Sequence, residues 1–412
     1  YIDMFWEEGS IVGPGRGSAT GFLSNYLLGI TQLDPVKWNL PYWRFLNKER
    51  AELPDIDIDL APSKRPQIIE RVKNERGGEL GCTLVATFGT EGTRSTILTA
   101  CRGYRSEDFP DGIDVDTAQY MSSLIPSERG FLWPLKDVVY GNKDKDRKPI
   151  ASFVKEVNEI PGLLDIMLAI EGLINKRSSH ASGIIMFAED PFELGCFMRT
   201  PAGEVITQWD LHMAESAGMT KYDYLVTEIS DKIIQTLKLL EDDEVIEKAP
   251  LREQYNKYLH PSVIDITDQR LWDALSNGDV LDCFQFSTDV GLMAAKKLKP
   301  QSPLEMTDAN ALMRLMSERG TESPIDKYAR FKANINLWYS EMNMYGLTKE
   351  QIKLLEPYYL KSYGCPPLQE DLMLILLDKD IAGFTLAEVN DARKIVAKKQ
   401  MSRSEERRVG KE

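Results

Sequence analysis

The chain has no Cys-x-x-Cys pair, only three histidines, no excess of positive charge and no long apolar run. Its five cysteines, Cys82, Cys101, Cys196, Cys283 and Cys365, are widely scattered, which argues against structural zinc and disulfides and for a reducing, cytoplasmic setting. No stretch approaches the roughly 18 uninterrupted apolar residues of a membrane span. The opening residues, Tyr1 to Glu8, lack the basic start and apolar run of a targeting segment. There is no Gly-x-Ser-x-Gly and no Ser-His-Asp or Cys-His arrangement, so nucleophilic acyl chemistry has no support. No internal repeat is visible. The 50 basic residues are outnumbered by 64 acidic ones, a net charge of −14 that is the wrong sign for gripping phosphates. Local basic clusters do occur at Lys296-Lys297-Leu298-Lys299 and at Arg393-Lys394 followed by Lys398-Lys399, though solvated helix faces would look the same.

What is present is ordinary globular composition, 42% apolar and 28% charged over 412 residues, enough for two to four domains. Tyr1 to Trp6 reads as the middle of an amphipathic helix, so a fragment is expected. Helices are predicted over Arg65 to Arg76, Thr93 to Arg102, Ile150 to Asn158 and Leu163 to Leu173, with short strands at Leu84 to Phe88, Gly183 to Phe187 and Lys221 to Val226. The Pro, Gly and charge content of Leu124 to Lys148 reads as long connections. After Ser230 the pattern is mostly helical. An α/β portion to about residue 228, interrupted by a helical excursion, is thus followed by a helical portion. Ser402 to Glu412 is mostly charged with a single Val409, a composition that favours a disordered tail.

The chemistry concentrates in Glu52-Leu53-Pro54-Asp55-Ile56-Asp57-Ile58-Asp59-Leu60. A strand turns successive side chains to opposite faces, so the three aspartates share one face, and a divalent cation that relieves their repulsion is the favoured reading over a solvated edge strand with one polar face. An EF-hand is excluded: counted from Asp55, Leu60 stands where Gly is needed and Pro66 where a bidentate Glu is needed. Upstream, Val12-Gly13-Pro14-Gly15-Arg16-Gly17-Ser18-Ala19-Thr20-Gly21 is a glycine-rich loop entering a helix expected over Gly21 to Leu28. Its amides can approach phosphate, Ser18 can cap the helix, and Arg16 can add a bidentate contact. It is not a Walker A loop, and a tight turn with a capped helix would look alike. A phosphate cradle about forty residues before a carboxylate cluster supplies both halves of a metal-dependent phosphoryl-transfer site, with Asp223 in the next convincing strand as a further ligand. His180 lies in a polar loop, where a hydrogen-bonding structural role and a contact with substrate are the two readings, while His212 and His260 show no nearby partner.

Taken together, Gly13-Pro-Gly-Arg-Gly-Ser18, Leu28-Gly-Ile-Thr-Gln-Leu-Asp-Pro35, Arg44-Phe-Leu-Asn-Lys-Glu-Arg50 and Pro54-Asp-Ile-Asp-Ile-Asp59 resemble the palm of the C-family DNA polymerases, the bacterial polymerase III alpha subunit type. Ala86 to Thr90, His180 to Gly183, Thr207 to Asp210, Lys221 to Tyr224, Phe284-Gln-Phe286, Tyr363-Gly364 with Gln369-Glu370, and Arg393 with Lys398-Lys399 extend the likeness to most of the chain. The resemblance implies a mixed α/β fold: a polymerase-beta-like nucleotidyltransferase palm with an inserted helical thumb, followed by mainly helical fingers. The implied division is palm 1–80, thumb 81–175, second part of the palm 176–228, incomplete fingers 229–401 and a charged tail 402–412. It implies a DNA-directed DNA polymerase in replication that adds deoxynucleoside triphosphates to a primer 3′ end on template DNA with two Mg2+ ions. The metal-binding catalytic residues carried over are Asp55, Asp57 and Asp223, with Asp59 a supporting neighbour. Arg16, Gly17, Ser18, Arg44, Lys221 and Arg393 are the implied nucleotide-binding residues. A sliding clamp and other replisome proteins are implied partners of the full-length family, and no membrane is. Leu312 to Gly320 replaces a Pro-Gly-Pro block, and Tyr363 to Pro367 also departs from the family, a divergence expected of a phage or mobile-element member. No proofreading exonuclease motif is visible. A non-catalytic nucleic-acid-binding fragment and a template-independent nucleotidyltransferase are the competing readings.

Overall fold

The structure, a computed structural model, describes residues 1–45, 56–128, 131–187, 190–315 and 321–397. Asp55, Lys398, Lys399 and the charged tail lie outside the described residues. The chain divides into two compact units: Tyr1–Arg71 with Asp223–Glu412, and Val72–Tyr222. The second is therefore inserted into the first. No described helix is long and apolar enough to cross a membrane.

Eight strands occur among the described residues: β1 (Ile56–Leu60), β2 (Cys82–Thr90), β3 (Ser127–Glu128), β4 (Phe131–Leu132), β5 (Ile174–Met186), β6 (Phe197–Arg199), β7 (Val205–Thr207) and β8 (Lys221–Val226). Within the inserted unit β2 and β5 run antiparallel from Cys82 opposite Met186 to Thr90 opposite Ile174. β7 lies parallel to β2 through Leu84 opposite Ile206, and β6 runs antiparallel to β7. Cys82 to Ala86 are buried in succession, as expected of a strand covered on both faces. β5 begins well before the predicted Gly183. Asn175 to Ser178 are exposed, so this half pairs its backbone with β2 without an apolar signal to betray it.

Between β2 and β5 the chain makes the helical excursion: helices Thr93–Gly103, Val115–Ser123, Leu135–Tyr140, Ala151–Asn158 and Leu163–Ile170. They share a core of Ile97, Met121, Leu135, Val138, Phe153, Val157, Leu163 and Met167. The excursion leaves and returns at one point, because Glu91 N–H donates to Leu173 O and Gly172 N–H to Glu91 O, both at 2.9 Å. The predicted connection over Leu124 to Lys148 proves partly regular, with the β3–β4 hairpin and a helix that buries Leu135 and Val138. Its charges are used internally. Asp137, only 8% exposed, is held by Arg147 at 2.6 Å and by Asn142 at 3.0 Å, and the Arg147 guanidinium stacks 4.7 Å above the Trp133 ring.

In the discontinuous unit the helix Ile2–Glu7 buries Met4, Phe5 and Trp6. Phe5 meets buried Tyr224 of β8 edge to face at 5.0 Å. β1 is hydrogen-bonded to β8. The helices beyond residue 228 form one core around Trp272, Phe286, Leu298 and Tyr328 and another around Phe331, Trp338 and Ile352.

Candidate active site

Along β1 the apolar positions fix the polar ones. Ile58 and Leu60 are buried at 8% and 0% exposure, so the pleat turns Asp57 and Asp59 together to the other face, where both are partly exposed. The direction of β8 follows from one hydrogen bond, Thr227 N–H to Leu60 O at 3.1 Å. An antiparallel ladder with this bond would carry β1 past the end of β8, so the two strands run parallel. Counting back along a parallel ladder sets Asp57 opposite Asp223 and Ile58 opposite Tyr224. Burial agrees: Ile58 and Tyr224 share the covered face, and the two aspartates share the other. Arg65 closes the far side by donating Nε–H to Tyr224 O at 2.8 Å.

The glycine-rich loop lies against this strand. Gly13 N–H donates to Asp59 O at 2.9 Å, and a side chain at Gly13 would bring its Cβ within 2.8 Å of Asp59 Cβ. Gly17 has φ +57°, and a Cβ there would stand 3.2 Å from Asp57 Oδ2. Two glycines thus allow the loop backbone to approach both carboxylates. Gln32, whose role the sequence reading missed, fixes the loop by donating its backbone N–H to Pro14 O at 2.7 Å and its side-chain Nε2–H to Val12 O at 2.9 Å. The signal available was a Gly29 turn that brings Thr31 and Gln32 back toward the loop.

Asp59 is set apart from Asp57. Arg16 donates Nη1–H to Asp59 Oδ1 at 2.8 Å, so this carboxylate is ion-paired with the glycine-rich loop. Ser18 is not the helix cap that was expected. The left-handed turn at Gly17 starts a single 3-10 turn, Gly17–Gly21, which puts Ser18 inside it, and the short helix that follows, Leu23–Leu27, has Phe22 at its cap position without a side-chain bond. The dipole of a long helix is accordingly absent here, and the loop's backbone amides are what remains for phosphate.

The remaining predicted residues are spread over the unit. Lys221 precedes Asp223 by two on β8 and shares its face. Arg44 is ion-paired with Glu370 and donates to Gln369 Oε1 at 3.2 Å, so it is joined to the helix Gln369–Leu377. Arg393 lies on the helix Leu386–Ala397, its Nε buried without a hydrogen-bond partner among the described residues. His180 Nδ1 accepts N–H bonds from Gly183 at 2.8 Å and Ser182 at 3.2 Å. It sits within β5 and not in a loop before it. His260 does have a partner, Ser262 Oγ at 2.7 Å from its Nδ1, and burial lowers its pKa. His212 lies 3.9 Å from Glu215 and is open to solvent.

Asp57 and Asp223 offer hard carboxylate oxygens of the kind that suit Mg2+ or Ca2+. Among the described residues no three acidic, histidine or cysteine side chains converge, and Asp55 lies outside them. A carboxylate pair with a glycine loop folded onto it can hold a cation and a phosphate chain side by side.

Residues 1–226 match the sequence profile of the bacterial DNA polymerase III alpha NTPase domain, and residues 243–410 that of the bacterial DNA polymerase III alpha subunit finger domain. A protein of Bacillus phage SPbeta named DNA-directed DNA polymerase is 46% identical over 404 residues, covering 97% of this chain and 30% of that protein. The Bacillus subtilis (strain 168) protein named Probable DNA polymerase YorL matches to the same extent. DNA polymerase III subunit alpha of Thermus aquaticus is 29% identical over 408 residues, 99% of this chain and 31% of that protein. The higher identity to the phage protein accords with the divergence noted in the sequence. The chain spans about 30% of the length of these relatives.

Proposed function

Because the chain belongs to the bacterial DNA polymerase III alpha family, we propose that it is the catalytic part of a DNA-directed DNA polymerase that extends a primer 3′ end on template DNA. What supports this reading is that Asp57 and Asp223 stand on hydrogen-bonded neighbouring strands, opposite one another in the register derived from the Thr227–Leu60 bond, with the Gly17 backbone against the Asp57 carboxylate. In the reaction the primer 3′ oxygen attacks the α-phosphorus of a deoxynucleoside triphosphate, a new P–O bond forms, and pyrophosphate leaves. Asp57 and Asp223, with Asp55, would hold two divalent ions, Mg2+ in our reading, which supply charge stabilisation for attacking and leaving oxygens. Asp59 keeps Arg16 beside the triphosphate, and the amides of Gly17 and Ser18 receive phosphate oxygens. Lys221 stands on the carboxylate face of β8 to balance charge there. Arg44 and Arg393 are further phosphate partners, Arg44 exchanging Glu370 for the nucleotide. The helical insertion between β2 and β5 corresponds to the thumb and the helices beyond residue 228 to the fingers. Primer–template DNA and deoxynucleoside triphosphates are the substrates, and a sliding clamp and other replisome proteins are partners of the full-length protein.

A second reading, a nucleic-acid-binding piece without catalysis, is favoured by the 30% coverage of the relatives and by the net charge of −14. Template-directed primer extension by the chain separates the two. The polymerase reading predicts incorporation dictated by the template base and lost in Asp57→Asn and Asp223→Asn. Primer–template binding without incorporation selects the second reading, and incorporation that ignores the template selects a template-independent transferase.

A further inference from the structure

Phe284 is an aromatic ring left 59% exposed, while Phe286 two residues on is buried at 1%. The backbone around it is held in an uncommon form. Asp282 and Gln285 both have left-handed φ, +63° and +66°, a conformation that non-glycine residues adopt only when their surroundings impose it. The surroundings are visible: Lys232 pairs with Asp282, and Arg314 donates to the Gln285 side chain. Phe284 lies between these two held positions. The Phe284 ring lies 5.8 Å from the Arg16 guanidinium carbon, and Arg16 in turn is bonded to Asp59 at 2.8 Å. Arg16 has five N–H donors, of which Asp59 takes one, and its side chain is 37% exposed.

We propose that Phe284 is a positioning residue for the triphosphate site: its ring and Asp59 together fix the Arg16 guanidinium, which presents its remaining N–H donors to the phosphates of a deoxynucleoside triphosphate. The inference rests on the function proposed above and adds to it a residue on the helical side of the unit that acts through the glycine-rich loop. A guanidinium on an aromatic face loses little solvation and keeps its plane, so a bidentate phosphate contact is organised before the ligand arrives. Leucine fills similar space without the ring's negative face, whereas tyrosine keeps that face.

The test is calorimetric titration of the chain with dATP in Mg2+, for the unaltered chain, Phe284→Leu, Phe284→Tyr, Arg16→Ala and Arg16→Ala with Phe284→Leu. Phe284→Leu should weaken binding about two- to fivefold, the scale of an exposed cation–π contact. Phe284→Tyr should bind as the unaltered chain does, and Phe284→Leu should add nothing once Arg16 is alanine. Unchanged binding by Phe284→Leu, or an equal loss in the Arg16→Ala background, overturns the role of Phe284 and leaves the site intact. Failure of the unaltered chain to bind dATP overturns the site itself and this inference with it.

Discussion

Gly17 and Asp59 show how single residues set the chemistry. At Gly17 the backbone has φ +57°, which costs an L-residue about 1–2 kcal/mol, and an added Cβ would press on Asp57 Oδ2. Gly17→Ala should therefore lose about 1–2 kcal/mol in denaturant unfolding and also lose primer extension, since the displaced group is the Asp57 carboxylate. Asp57→Asn and Asp223→Asn should leave the fold intact and reduce extension by on the order of 10²–10³-fold or more, the scale of removing one fixed electrostatic partner. Asp59→Asn should be milder, because this carboxylate meets Arg16. In the sequence the three aspartates of one strand are alike, and their inequality was available only through the resemblance. The partner of Asp59, Arg16, stands 43 residues away on a loop whose path no periodicity reveals. The place of His180 within β5 was not legible.

At the scale of elements, the helix Pro303–Leu312 carries a buried acid. Asp308 is 7% exposed, and burial raises its pKa to about 7, assisted by Asp371 and Glu305 and opposed by the Tyr328 hydroxyl bonded at 3.0 Å and by Lys361. The folded chain then keeps a proton that the unfolded chain releases near pH 4. This group's contribution accordingly lowers stability as pH rises from about 4 to about 7, and is constant above. Asp308→Asn, which preserves the shape and an acceptor for Tyr328, should gain on the unaltered protein through that window by on the order of a few kcal/mol in unfolding free energy. A difference that does not vary with pH would contradict the assignment. Amphipathic elements such as the helices Thr93–Gly103 and Ala151–Asn158 were readable because one face is buried. The first half of β5 and the helix Leu135–Tyr140 were not, since one pairs through its backbone in an exposed setting and the other satisfies its charges inside a Pro- and Gly-rich stretch.

For the whole molecule, the inserted helices are joined to the rest at one closed point, Glu91 with Leu173 and Gly172. Replacing residues 93–170 by a short glycine-serine linker should leave β2 and β5 paired and the remainder folded, as read by circular dichroism and thermal unfolding. Loss of all cooperative unfolding would show that the insertion is needed for the fold. Net charge was the least informative whole-chain quantity, because −14 averages acidic surfaces with local clusters such as Lys296, Lys297 and Lys299. If those clusters meet a DNA backbone, log affinity for primer–template should fall with log salt by about 0.9 for each phosphate neutralised, and a flat salt response would exclude such a grip. The relation between distant segments is what sequence order conceals: Asp57 and Asp223 stand on neighbouring strands with the whole inserted unit between them in the chain. The proposed metal centre that they share is most directly tested by Mn2+ titration followed by electron paramagnetic resonance, with dATP present. The prediction is tight Mn2+ binding by the unaltered chain that is lost in both Asp57→Asn and Asp223→Asn, and undiminished binding by either variant would contradict a shared centre.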